Sequence, residues 1–328
     1  MQNGWLRSGG FRTYFCCCDG GESNRSFIKS HFKNKDIVEE KYTTKNPYTG
    51  EPMVFYMDPY HNLKKLRKNI EKSDQENGKR CLQVNGGKIE WQNWKMAYKW
   101  DQEESTLKVH EKLTESHFNL GYANKMRNHL ALDVLDKKML YLMKAFRRYL
   151  CNKGSNTDDL DQVVKLLEIS STLVEIFSDM KPIQSLQDSR LKDLEKCNKW
   201  FDEWKKSVDE LELDNQVSKN KMLLSDKLRF DLSSMIIGLT QICVILSKKY
   251  PGSGIVPGRL NSNIIENFFC HARGKNGQND NPTYAQYGPT MNSILLGQKT
   301  TTRRSNSGKS DQLCSFVKPK RLYVRCGH

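Results

Sequence analysis

Two short apolar segments near the start of the chain, each closed by an aspartate, set the strongest limit on its fold. Residues 13–18, TYFCCC, precede Asp19, and residues 53–57, MVFYM, precede Asp58 and Pro59. Short β-prone runs that end in turn residues predict buried strands. Because Pro59 suits the first turn of a following helix, we predict a small sheet with an aspartate at the end of two strands.

The chain changes to helical periodicity from about residue 77, and no further strand is predicted beyond it. Apolar side chains recur with a period of about 3.6 residues in several long segments, which predicts amphipathic helices. These segments are residues 124–150, 160–177, 191–211 and 223–247. Further helices are predicted from Asn263 and over residues 281–296. The predicted fold class is α/β, mostly α by content, with an all-α block in the middle.

The chain is strongly basic, with a formal net charge of +15 from 53 lysines and arginines against 38 aspartates and glutamates. Such an excess favours a polyanionic partner, held through its phosphates. Residues 298–328 carry part of the excess and have few apolar anchors, so we predict a basic disordered tail there. The tail either binds phosphates or serves solubility or nuclear import.

Cysteine usage favours a soluble intracellular protein. The chain has ten cysteines, including the triplet Cys16-Cys17-Cys18, but no CxxC pair, so a structural zinc site is not favoured. Unpaired thiols are typical of a reducing compartment. The longest apolar stretch, residues 235–246, is too short to span a bilayer.

The segment NSNIIENFFCHARGKNGQNDNPTYAQY, residues 261–287, places Glu266 between apolar neighbours. With Asn263 as N-cap, Glu266 would be the third helical residue and its carboxylate would return to the N-cap amide. Alternatively, Glu266 and the strand-end Asp19 would bind Mg²⁺ together, since that ion prefers hard oxygen ligands. Asp19 has its own alternative as part of an Asp-Gly turn.

Residues 261–287 resemble the C-terminal catalytic signature of P-element-type transposases, the group that includes THAP-domain transposases. In that family Asn-x-Asp-x-x-Glu-x-x-Phe precedes Arg-x-x-Gly-x-Asn-x-Asn-Pro-Thr. Residues 16–27, CCCDGGESNRSF, resemble its Asp-Gly-Ala-Ser-x-Asn strand end, and residues 55–70, FYMDPYHNLKKLRKNI, resemble its Asp-Pro-x-His motif. Residues 112–135 resemble its Leu-Thr-x-x-His and Lys-Met-x-x-x-x-Ala stretch. The resemblance covers residues 13–298.

The resemblance implies an RNase H-like core split by an α-helical insertion that binds guanine nucleotide in the family. The implied division is 1–76 for the first part of the core, 77–224 for the insertion, 225–297 for the second part and 298–328 for the tail. Asp19 corresponds to the second catalytic carboxylate and Glu266 to the third, so both are predicted ligands of Mg²⁺ or Mn²⁺. The other positions that match family motifs are Asp58, His61, Asn263, Arg273 and Asn281.

Departures from the family pattern predict an N-terminally truncated chain that does not cut DNA by itself. Residues 1–18 contain no acidic residue that could be the first catalytic carboxylate, and no zinc-coordinating DNA-binding module is present. Asn263 stands where the family has an aspartate. Residues 180–185, MKPIQS, stand where the family has Phe-Asp-x-x-Asn-Ser, so a carboxylate suited to guanine is missing. GTP binding is therefore expected only from the family resemblance.

A basic helix and an aromatic segment are each open to two interpretations. Lys64, Lys65, Arg67 and Lys68 are predicted DNA-phosphate contacts, or else they form a solvated helix face. The aromatic residues of WQNWKMAYKW, residues 91–100, either stack on bases or belong to the core.

The function that these features favour is a transposase-like protein of the P-element type, which in the full-length family cleaves DNA and transfers strands at a two-metal site. A non-catalytic regulatory protein that binds DNA or protein is the alternative. A nucleotide-binding helical protein is the third hypothesis. A nuclear or nucleocytoplasmic location is expected for all of them.

Overall fold

The computed structural model describes residues 12–33, 35–73, 79–103, 107–119, 121–211, 216–275, 277 and 283–300. The chain divides into two compact units, Met1–Ser262 and Asn263–His328. Most of the predicted tail, and Asn281 of the family motif, lie outside the described residues.

The first unit combines short strands with many helices. Its strands are β1 (Phe15–Cys18), β2 (Thr43–Lys45), β3 (Pro52–Met57), β4 (Leu82–Val84) and β5 (Gly87–Ile89). Its helices are α1 (Glu22–Phe32), α2 (Pro59–Glu71), α3 (Trp91–Glu103), α4 (Tyr122–Met126), α5 (Asn128–Asp133), α6 (Lys137–Asn152), α7 (Asp158–Ser178), α8 (Ser189–Asp209), α9 (Gln216–Met222) and α10 (Asp226–Lys249), with 3₁₀ turns at Glu115–His117 and Pro257–Arg259. The predicted fold class, α/β and mostly α, is confirmed.

The main sheet has β3 at its centre. β1 pairs with it in parallel, from Phe15 opposite Val54 to Cys18 opposite Met57, and β2 pairs with it antiparallel. Both strands predicted from apolar runs are present, whereas the short polar β2 was not predicted. Because β1 and β3 are parallel, the residues that follow them, Asp19 and Asp58, leave the sheet at the same edge.

Helix α10 covers β3 and extends the core. The Ser234 hydroxyl donates to the Phe55 carbonyl oxygen at 3.0 Å. A Cβ added at Gly238 would lie 3.1 Å from the ring of Tyr56, so glycine permits this close approach. By length and composition α10 could cross a membrane, but half of its apolar window is buried inside the protein. Its contacts with β3 are those of a core helix.

The predicted all-α block contains a β-hairpin, so the prediction of no strand after residue 77 was wrong. β4 and β5 pair antiparallel across Asn85 and Gly86, whose φ angles are 46° and 83°. Positive φ at both central residues is the conformation that Asn-Gly hairpin turns adopt. The signal was present in the sequence as Val-Asn-Gly-Gly between two short runs.

The helix predicted over residues 124–150 is broken into α4, α5 and α6. Arg127 is extended, with φ −78° and ψ 122°, and separates α4 from α5. Asp136 begins α6 by accepting a hydrogen bond from the Met139 amide at 2.9 Å. An uninterrupted apolar period therefore concealed two helix breaks, the second followed by a helix that an aspartate caps.

The aromatic segment of residues 91–100 contributes to the core. Trp91 and Trp94 are buried and stack with ring centroids 5.8 Å apart, and the Trp94 indole donates to the Val134 carbonyl oxygen at 2.9 Å. One hydrophobic cluster includes Val54 of β3, Trp94 and Leu239 of α10. The sheet and the helical segment thus share a core, while the predicted domain boundaries stay a prediction.

The second unit contains α11 (Asn263–Lys275) and α12 (Tyr284–Thr300). Helix α11 begins at Asn263, within a residue of the predicted cap position. Helix α12 was predicted over residues 281–296 and ends later, at Thr300. Phe268 of α11 contacts Tyr287 of α12, with ring centroids 6.4 Å apart.

Candidate active site at the sheet edge

Asp19 lies directly after β1 and is exposed at the sheet edge. Its Oδ1 atom accepts hydrogen bonds from the Gly21 amide at 2.9 Å and from Asn24 Nδ2 at 2.6 Å. Among the described residues no hydrogen bond reaches Oδ2. The carboxylate therefore stabilises the Asp-Gly turn through Oδ1, while Oδ2 remains available to a metal ion. The turn interpretation and the ligand interpretation of Asp19 are thus compatible.

The pKa of Asp19 is lowered from its ordinary value. Partial burial alone would raise it, but the hydrogen bonds from Gly21 and Asn24 and the charges of His61 and Lys65 together outweigh burial. Hydrogen bonds and positive charge favour the ionised form. Asp19 is therefore an anion at neutral pH, as a hard-metal ligand must be.

Asp58 has a structural position at the same edge. It is fully buried, its Oδ1 accepts from the His61 amide at 2.9 Å, and its Oδ2 accepts from the Ser262 amide at 2.6 Å. The first bond caps α2, whose first residue is Pro59 as predicted. Both carboxylate oxygens of Asp58 thus accept hydrogen bonds from backbone amides. His61, which is half-buried, lies on the first turn of α2.

A third carboxylate at this edge, Asp231 of α10, was not found by sequence reasoning. Asp231 is fully buried and forms a two-bond ion pair with Arg25, from Nε to Oδ1 at 2.9 Å and from Nη2 to Oδ2 at 2.6 Å. Lys65 Nζ lies 3.0 Å from the same Oδ2. The only sequence signal was a lone aspartate at helical spacing from Leu228 and Met235, on the apolar face of α10.

Lys65 connects this buried ion pair to the turn that carries Asp19. Its ammonium donates to the backbone oxygens of Asp19 and Gly20 at 3.0 and 3.1 Å. Gly20 has φ +70°, and a Cβ there would lie 2.5 Å from both Asp231 Oδ2 and Lys65 Nζ. The position therefore requires glycine, and the turn lies directly on the ion pair.

The four residues of α2 that were predicted to contact DNA phosphates differ in how far they are buried. Arg67 is 1% exposed and donates from Nη2 to the Lys125 carbonyl oxygen at 3.1 Å, and burial lowers its pKa. Lys65 is engaged by Asp231 and the turn. Arg67 is thus inside the protein, contrary to the predicted surface position, whereas Lys64 is half-buried and Lys68 is exposed.

A basic cluster of four residues, Lys68, Lys72, Lys79 and Arg80, lies near the end of α2. The pKa of Lys72 is lowered first by partial burial and then by the like charges of Lys68, Arg80 and Lys79. Arg80 is fixed by hydrogen bonds from Nη1 to the carbonyl oxygens of Asn220 and Leu223 at 3.2 and 2.6 Å. Like charges held this close together create a positive potential at this part of the surface.

Glu266 is exposed on the first turn of α11 in the second unit, which begins with Asn263. Arg273 is half-buried in the last turn of the same helix. A shared metal site of Asp19 and Glu266 stays a prediction. Within the residues that the structure describes, no group of three or more His, Cys, Asp or Glu side chains could hold a metal ion.

The segment of residues 180–185 does not offer a carboxylate for guanine. The nearest one, Asp179, lies 2.6 Å from Arg190 through Oδ2 and accepts from the Lys181 amide at 2.9 Å through Oδ1. Guanine-nucleotide binding and a nuclear location stay predictions.

The comparisons with known proteins support one class of fold. No protein-family model matches the chain, and neither does any curated protein sequence. Among solved structures, the chain is similar to a Drosophila P element transposase strand transfer complex, with a TM-score of 0.68 and 18% identity over 90% of this chain. The match spans 62% of that chain. The chain therefore has a fold like that of P element transposase.

Proposed function

We propose that the chain is a transposase-like DNA-binding protein of the P-element type. In this proposal Asp19 and Glu266 supply two carboxylates of an RNase H-like site for DNA cleavage and strand transfer. The observation that carries it is the position of Asp19 at the end of a parallel strand pair in a P-element-like fold, with two hydrogen bonds to Oδ1 and, among the described residues, none to Oδ2.

The chain's own residues have separate roles in this proposal. Asp19 would hold a divalent cation through its carboxylate, while Lys65, which is paired with Asp231, holds the backbone of its turn. Asp58 fixes the start of α2 beside it. Bound Mg²⁺ or Mn²⁺ would stabilise the attacking and leaving oxygens of a phosphodiester. Because two carboxylates do not complete the two-metal site that the resemblance implies, we propose that the chain by itself binds DNA without cutting it.

Asp19→Asn tests the metal site. The amide keeps an oxygen for Gly21 and Asn24 but loses the charge, so we expect Mn²⁺ affinity to fall at least about tenfold, or about 1.4 kcal/mol. Isothermal titration of Mn²⁺ into the full chain measures the change. Glu266→Ala gives a second arm, since a shared site requires that it weaken Mn²⁺ binding as well.

Asp193→Asn is the matched control, because Asp193 is an exposed aspartate of α8 paired with Lys196 at 2.9 Å. It should leave Mn²⁺ affinity unchanged. Equal affinity of Asp19→Asn and wild-type protein, with both folded by circular dichroism, would refute the metal role of Asp19. The non-catalytic DNA-binding alternative, which Asn263 and the two engaged oxygens of Asp58 favour, would then be preferred.

The proposed DNA contact is the basic cluster rather than Lys65 and Arg67. Lys68 lies on α2 and Lys72 is the C-cap that follows its last residue, so the two are spaced i, i+4 along one face. For the double variant Lys68→Ala/Lys72→Ala we expect weaker binding of a labelled DNA duplex. The slope of log affinity against log salt should fall by about 1.8, since each phosphate contact contributes about 0.9.

Fluorescence anisotropy over a salt series provides both quantities. Lys196→Ala/Lys199→Ala removes the same charge from α8, where each lysine has an acidic partner. An equal loss of slope in this control pair would mean that net charge, not the basic cluster, governs DNA binding.

A further inference from the structure

The cysteine triplet of β1 divides its side chains between two faces of the sheet. Successive residues of a strand point to opposite faces, so Cys16 and Cys18 share one face and Cys17 points to the other. Cys18 belongs to a small core group with Ile28, against which Cys16 also packs, whereas Cys17 packs against the larger core cluster. The sulfur atoms of Cys16 and Cys18 lie 3.8 Å apart.

This separation suits one ion bound between the two sulfurs. Bonds of about 2.3 Å to a tetrahedral centre place two thiolates about 3.8 Å apart. A direct disulfide fits less well, because residues i and i+2 of a strand are about 6.6 Å apart at about 3.3 Å per residue. That spacing is close to the upper limit of about 6.8 Å for the Cα atoms of a disulfide.

The thiol chemistry and exposure are suited to capture of a ligand from solution. Cys16 is half-buried and Cys18 is 8% exposed. The hydrogen bond between the two sulfurs lowers the pKa of Cys16 to about 7 and raises the pKa of Cys18, while burial raises both. Cys16 is thus partly thiolate at neutral pH, the form that binds metals, while Cys18 gives up its proton only when a ligand bonds to its sulfur.

The number of ligands limits what this pair can hold. Among the described residues no third His, Cys, Asp or Glu completes a metal-binding group around it. A structural zinc site needs four protein ligands, so two thiolates do not make one. Soft centres that bond two protein sulfurs at a bent angle remain, because thiolates select soft centres.

We propose that Cys16 and Cys18 form a dithiol site that binds one soft, thiophilic centre with bent bonds to both sulfurs, of the class that includes trivalent arsenic. The site lies on the strand that ends at Asp19. It does not depend on the proposed function, because hard oxygen and soft sulfur ligands select different ions.

Phenylarsine oxide is the probe for this site. Two S–H bonds break, two As–S bonds form, and the oxo oxygen leaves with both protons as water, while arsenic stays trivalent. Attachment through two sulfurs should hold the probe about 100-fold or more tightly than one thiol does, through effective concentration. The bound probe should survive excess glutathione and be released by a small dithiol.

Intact-mass measurement on the reduced full chain counts the probe retained in glutathione. We expect about one equivalent on wild-type protein and on Cys17→Ser, and less than about a tenth of that on Cys16→Ser and Cys18→Ser. Cys17→Ser is the matched control from the opposite face. If Cys18→Ser fails to fold, the amount of probe retained by Cys16→Ser, a change at a half-buried position, decides the test. Retention by Cys16→Ser, no retention by wild-type protein, or loss on Cys17→Ser would each overturn the proposal.

Discussion

Asp231→Ala is expected to lower the free energy of unfolding by about 3–5 kcal/mol, the cost of breaking a buried ion pair by removing one partner. Arg25 has only 9% of its side chain exposed and would keep its charge without its two-bond partner. Lys65 is 31% exposed and can turn towards water, so Arg25 carries most of the cost. Urea denaturation followed by circular dichroism measures the change.

The double variant Arg25→Leu/Asp231→Leu shows whether the uncompensated charge is the cause. Replacement of both partners by apolar residues should cost less than Asp231→Ala alone, because no buried charge is left unpaired. Asp193→Ala, which removes an exposed aspartate paired with Lys196, should cost about 1 kcal/mol or less. An Asp231→Ala variant as stable as Asp193→Ala would contradict a structural role for the buried pair.

Asp58→Ala is expected to lower the free energy of unfolding by about 1.5–5 kcal/mol, the sum of two contributions. Loss of the N-cap to α2 accounts for about 0.5–2 kcal/mol of this. The Ser262 amide, which Asp58 Oδ2 now accepts from at 2.6 Å, would lose its partner and add about 1–3 kcal/mol. The same urea denaturation provides the value.

Asp58→Asn separates the two bonds, because the amide oxygen can still cap α2 while its NH₂ group would face the Ser262 amide donor. We therefore expect an intermediate loss of stability. Mn²⁺ titration of the folded fraction adds a second readout, on which Asp58→Ala should match wild-type protein. A loss of Mn²⁺ binding with unchanged stability would make Asp58 a ligand instead of a cap.

Local chemistry made several features of the fold predictable. The apolar runs that became β1 and β3, and Pro59 at the start of α2, were visible because strand propensity and turn residues act over a few neighbours. The resemblance over residues 13–298 predicted the P-element-like fold that the structural comparison supports. Asp19 was also found at a strand end, since a short run followed by Asp-Gly is a local signal.

Local signals failed where a short element had little hydrophobic pattern. β2 is a three-residue polar strand, and it is a strand because the edge of β3 supplies its hydrogen bonds. The predicted single helix over residues 124–150 became three helices, since the apolar period continues across the turns. Arg67 looked like a surface cation, but it lies on the face of α2 that other helices cover.

The sequence by itself determined the mostly helical α/β class, the strand-end position of Asp19 and the basic character of the protein. Only the tertiary structure decided what holds Asp19 in place and which cations remain at the surface. Arg25 and Asp231 are 206 residues apart in the chain, and their ion pair exists because α1 and α10 meet at one sheet edge. No local pattern encodes such a pair, since the free energy of burying a charge depends on which side chain lies opposite it.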